Sequence, residues 1–97
     1  MKTVFITYNQ ALNEDVMVIL KSSLCRGYTH FSTVGGCGSE TGEPHLGTHA
    51  WPTMNSAVIT ICEDYKVEPL FERLRALNEE NKELGLRAFV WNVEQTL

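Results

Sequence analysis

No stretch of this sequence approaches the roughly 18 consecutive apolar residues that a membrane-spanning helix needs, so direct insertion into a bilayer is not expected. No run of Lys and Arg is present either, and eight basic residues stand against twelve acidic ones for a formal net charge of −4. That balance argues against a general nucleic-acid binder, which needs a basic surface along the phosphates. Cysteine is scarce: Cys25, Cys37 and Cys62 are odd in number and far apart, which is no disulfide framework. The N-terminal Met1-Lys2-Thr3-Val4-Phe5-Ile6-Thr7 shows no cleavage-site pattern. A reducing cytoplasm is the expected compartment. Also missing is any Ser-His-Asp or Cys-His set with an orienting third group, so an enzyme is not expected.

What is present is a single small domain of 97 residues, 43% hydrophobic and 21% charged. Lys2 to Tyr8 alternates and reads as a strand. Asn13-Glu14-Asp15 offers a cap and two acids for a first helical turn, followed at helical spacing by Val16, Ile19, Leu20 and Leu24. Arg26 is placed in its last turn and Gly27 at the left-handed position beyond it. Tyr28 to Val34 and Met54 to Cys62 read as strands. Pro69 is tolerated only in a first turn, so a second helix starts near Val67 or Glu68, with Leu70, Phe71, Leu74, Leu77 and Leu84 as its stripe and Gly85 as its stop. Leu86 to Val93 is the last strand. The order β-α-β-β-α-β predicts an α+β, ferredoxin-like antiparallel sheet with both helices on one face.

The strands are apolar on both parities. In the last one, Leu86, Ala88 and Val90 alternate with Phe89, Trp91 and Val93; in the third, Val58 opposes Ala57, Ile59 and Ile61. Two helices cover one face only. Both faces therefore read as buried, the second by copies of the chain, with Trp91 in the core or at that interface. Cys25, late in the first helix, and Cys62 read as small apolar residues, and His30 as a sheet residue.

Between the second and third strands lies the long segment Val34 to Pro52, which holds Gly35, Gly36, Gly38, Gly42, Gly47, Pro44, Cys37, His45 and His49. Loops of this length in compact domains are usually functional or disordered. Cys37, His45 and His49 form a soft ligand set suited to Zn or Cu; the alternative is that they are solvated surface groups. Trp51-Pro52 is either an aromatic wall for a ligand or an anchor for the loop.

Four segments carry a resemblance. Asn13-Glu14-Asp15-Val16 with Leu20 and Gly27, Gly27-Tyr28-Thr29, Val34-Gly35-Gly36-Cys37-Gly38 with Gly42, and Phe89-Val90-Trp91-Asn92-Val93-Glu94 together resemble the PII-like signalling proteins of the nitrogen regulatory protein PII superfamily. The resemblance covers nearly the whole chain. It implies a homotrimer with effector clefts at the subunit boundaries, an adenine nucleotide as effector, and a T-loop, here residues 35–52, that engages a partner protein such as a transporter or an enzyme. Carried over, Gly27, Thr29, Gly36, Cys37 and Gly38 are effector-binding positions, and Arg87 stands where a phosphate-binding lysine lies. Two stretches differ. Asn81-Lys82-Glu83-Leu84-Gly85 replaces a glycine-rich segment, and Ser39-Glu40-Thr41 replaces basic residues. A triphosphate needs several cationic or N–H donors, and this pattern supplies Arg87. The alternative function is a divalent-metal protein of the cation-tolerance type, which shares the trimeric build and would use Cys37, His45 and His49.

Overall fold

A computed structural model describes residues 1–36 and 54–97. Its regular elements are β1 (Lys2–Asn9), α1 (Asn13–Ser22), β2 (Tyr28–Val34), β3 (Asn55–Cys62), α2 (Val67–Glu80) and β4 (Arg87–Asn92), with short 3₁₀ turns before each helix and after α2. The sheet order is β2-β3-β1-β4, and all neighbours are antiparallel. This is the ferredoxin-like arrangement expected from the element order.

The period of two decides which residues meet the helices. Val4, Ile6 and Tyr8 of β1 stand opposite Thr60, Val58 and Ser56 of β3, and all six are buried. Val16 and Leu20 of α1 and Leu70, Leu74 and Leu77 of α2 close over them in one apolar cluster. Both helices thus share a face. Pro69 sits in the first turn of α2, where its missing N–H has no partner to lose. Tyr8 is buried in this layer and donates its hydroxyl hydrogen to Asn13 Oδ1 at 2.7 Å, which ties the start of α1 to the sheet.

The end of α1 corrects the sequence reading. The helix stops at Ser22, so Leu24, Cys25 and Arg26 lie beyond it, and Lys21 is the basic residue of its last turn. Leu24, not Gly27, takes the left-handed conformation, with φ 61°. The main-chain N–H of Cys25 then returns to the Leu20 carbonyl at 2.9 Å, and that of Leu24 to Lys21 at 3.1 Å. Burying Cys25 just after the turn forces the chain to reverse there, whatever residue occupies position 24. Gly85 does take a left-handed conformation, with φ 70°, but it closes the 3₁₀ turn Lys82–Leu84 rather than α2 itself.

The face away from the helices is apolar as well. Phe31, Ala57, Ile59, Ile61, Phe5, Phe89 and Trp91 share it by register. Phe89 is 52% exposed, Trp91 50%, Ile61 46% and Phe31 43%. Trp91 touches Phe5, with ring centroids 6.4 Å apart, but it is not core. A single chain leaves this face uncovered.

Candidate functional site

β2 ends at Val34 and the adjacent β3 begins at Asn55, its register partner, so the gap in the described residues, 37–53, falls between these two strand ends. The frame around that gap is tightly bonded. Ser56 donates its hydroxyl hydrogen to the Ser32 carbonyl at 2.7 Å. The Gln10 N–H reaches the Met54 carbonyl at 3.0 Å, and Asn9 Oδ1 accepts from the Ala11 N–H at 2.9 Å. The register of β2 on β3 shifts between Phe31 and Val34, as a bulge does, and so bends the strand where it enters the gap. A Cβ placed on Gly36 would meet Asn55 Nδ2 at 3.1 Å, so glycine is the residue that fits that approach best.

A polar cleft of about 350 Å³ opens beside this frame, lined by Gln10, Asn13, Glu14, His30, Ser32 and Ser56. His30 lies on the edge strand opposite Val58 and is exposed there. The sequence places it in the sheet but does not show this company. The signal that could have found it is the parity of β2, which puts His30 and Ser32 on one side.

The opposite end of β2 carries Gly27 and Thr29. Thr60 donates its hydroxyl hydrogen to the Gly27 carbonyl at 2.7 Å. A Cβ on Gly27 would meet nothing within 4 Å, and its φ is not positive, so nothing in this chain demands glycine there. Arg87 opens β4, paired with Thr7 of β1, and one of its guanidinium N–H groups is held by the Leu86 carbonyl at 2.9 Å. β2 and β4 are the two edges of the sheet. Three strand spacings put Thr29 and Arg87 at least about 14 Å apart. Gly27 and Gly36 flank the two ends of one strand. One chain therefore does not bring Gly27 and Thr29 together with Gly36 or with Arg87. Cys37, Gly38, His45 and His49 lie outside the described residues, as do Trp51 and Pro52.

Among the described residues no group of three or more His, Cys, Asp or Glu could hold a metal ion, and no helix is long and apolar enough to cross a membrane.

The family model described as nitrogen regulatory protein P-II matches residues 1–97. The chain belongs to the P-II family. Among solved structures, this P-II protein is similar to CPII, a nitrogen regulatory PII-like protein from Thiomonas intermedia K12, bound to ADP, AMP and bicarbonate. That match has a TM-score of 0.77 at 21% identity and covers 95% of this chain and 84% of CPII. The apo form of CPII matches with a TM-score of 0.72 at 18% identity, over 95% of this chain and 87% of that one. A PII-like signaling protein from Thermus thermophilus matches with a TM-score of 0.68 at 22% identity, over 95% and 85% of the two chains. At these identities the likeness establishes the fold. No curated protein matches the sequence.

Proposed function

We propose that this P-II protein is a regulatory protein that works as a homotrimer, binds a small effector at its subunit boundaries and passes the signal through residues 35–52 to a partner protein such as a transporter. The observation that carries this reading is the family match over residues 1–97. Two features of the chain support it. The open sheet face, with Phe89 and Trp91 about half exposed, is apolar enough to be an association surface. Thr29 and Arg87 stand on opposite sheet edges, so a ligand that uses both has to reach them from two subunits.

In this reading Gly27, Thr29, Gly36, Cys37, Gly38 and Arg87, drawn from neighbouring subunits, form the cleft. Gly27 leaves open space for an approaching group. Arg87 supplies a guanidinium for phosphate oxygens. The effector class is an adenine nucleotide of low phosphate count, together with a small carboxylate or bicarbonate. A cleft with Arg87 as its main cation suits a mono- or diphosphate better than a triphosphate, and ADP, AMP and bicarbonate are what the similar CPII structure holds. No step of this function asks for catalysis.

Calorimetry tests it directly. AMP, ADP and ATP are titrated into the protein with and without bicarbonate. Saturable binding that weakens in Thr29→Val and in Arg87→Ala supports the cleft, whereas no heat with any of the three overturns it. Zn(II) added in the same series tests the cation-tolerance alternative, for which Cys37, His45 and His49 are the candidate ligands.

A further inference from the structure

Cys25 and Cys62 are the described thiols, both 3% exposed, and neither takes part in a disulfide. Cys25 follows the left-handed Leu24, and Cys62 is the last residue of β3. The turn after α1 thus brings Cys25, whose thiol donates to the Ser23 carbonyl at 3.7 Å, to the same cavity wall as Cys62. A cavity of about 450 Å³ opens over them, and Met1, Arg26, Glu63 and Lys66 line it with the two cysteines. Cys25, Cys62 and Met1, from three separate segments, therefore border one space. Buried cysteines often serve only as small apolar residues. That role does not explain why two cysteines from distant segments line one cavity.

The geometry points to a site for one soft, monovalent metal ion, with Cu(I) as the biological example, held by Cys25 Sγ and Cys62 Sγ in the cavity that Met1 also lines. Thiolate and thioether ligands select Cu(I). Zn(II) prefers four ligands, and the described residues bring no third His, Cys, Asp or Glu to the pair. Loading exchanges protons for metal: two thiols and one Cu(I) give a bis-thiolate complex of net charge −1 and two released protons. Burial pushes the Cys25 thiol up to about 11, so the metal has to displace a tightly held proton, and Lys66 is the group that works against that cost. Lys66, its side chain only 18% exposed, acts electrostatically on Cys25 and lines the same cavity, and Arg26 lines it too. Glu63 is the opposing charge, and it is already paired with Lys66 at 3.0 Å. The site is separate from the nucleotide cleft and does not rest on that reading.

The test is anaerobic titration of the reduced protein with Cu(I) against a chromogenic Cu(I) chelator. Wild type and Cys37→Ser are expected to take about one ion per chain from the competitor. Cys25→Ala and Cys62→Ala, each checked for folding by circular dichroism, are expected to take none. Equal uptake by the folded Cys25→Ala and Cys62→Ala variants, or loss of uptake in Cys37→Ser alone, overturns the assignment. Because Cu(I) is diamagnetic, the cysteine ¹³Cβ resonances of wild type give the same answer without any variant. Shifts at Cys25 and Cys62 on loading support the site; shifts at Cys37 only, or no shifts, overturn it. Nucleotide calorimetry reads neither outcome, so failure here leaves the cleft reading standing and the reverse also holds.

Discussion

The Thr60 hydroxyl donates its hydrogen to the Gly27 carbonyl at 2.7 Å, fastening the turn between α1 and β2 onto the middle of the sheet. Thr60 is almost fully buried. Thr60→Val keeps the shape and removes the donor, which leaves the Gly27 carbonyl short of a partner. Stability is expected to fall by about 1–2 kcal/mol, read as a lower urea midpoint at unchanged slope.

The exposed apolar face makes a sharper prediction. Trp91→Asp together with Phe89→Asp puts two charges among Phe5, Ile59 and Ile61 on a surface that water already reaches in the single chain. The helix-facing core is untouched, so far-ultraviolet dichroism is expected to stay that of wild type. Sedimentation is expected to move from an oligomer to a single chain. A wild type that already sediments as a single chain would remove the subunit-boundary cleft from consideration.

Leu24 is held at φ 61°, in a region that costs an ordinary residue about 1–2 kcal/mol. Its side chain is more than half exposed, so little packing is lost on removing it. Leu24→Gly is expected to stabilise the protein, by less than the full strain because glycine gains freedom in the unfolded chain. Gly85→Ala, at φ 70°, is expected to move the melting temperature the other way.

Burial pushes the Tyr8 phenol up from 10.0 to about 12, with Tyr28 adding a smaller contribution. The folded protein therefore holds this proton more tightly than the unfolded chain does. The corresponding stability is complete below pH 10 and is lost as the pH rises toward 12. Tyr8→Phe is expected to flatten that alkaline decline while lowering stability at neutral pH by about 1 kcal/mol through the lost bond to Asn13. Urea titrations at a series of alkaline pH values check both effects.

At the acid end, the N-terminal ammonium holds the Asp64 carboxyl below its ordinary value through a hydrogen-bonded ion pair at 3.0 Å. Lys66 does the same for Glu63. Both carboxylates contribute above the normal carboxylate pKa, and that contribution is lost as the pH falls through their depressed values. Asp64→Asn is expected to lessen the acid dependence of the urea midpoint slightly, since the pair is exposed and screened by salt.

Much of this fold was legible in the sequence because its signals are local. Pro69 marks the first turn of α2, and the alternation of Val4, Ile6 and Tyr8 marks the covered face of β1. The exit of α1 was not legible. Gly27 is the obvious left-handed residue by type, yet burial of Cys25 imposes that conformation on Leu24 three positions earlier. A tertiary demand overrode a local preference there. The meeting of Cys25 and Cys62 at one cavity wall and the cleft holding Glu14 and His30 were hidden for the same reason, since each joins segments distant along the chain. The glycine-rich segment stands out by composition alone, and its Cys37, His45 and His49 lie outside the described residues. The resemblance to the PII-like proteins is readable because its four short matches occur in the right order and spacing along the chain.

The strand order has one more implication. In the proposed cleft, Thr29 and Arg87 come from opposite margins of the sheet and are supplied by different copies of the chain. Binding that needs two copies weakens on dilution, so under the proposed reading the concentration of the protein itself helps to set the apparent affinity for the effector.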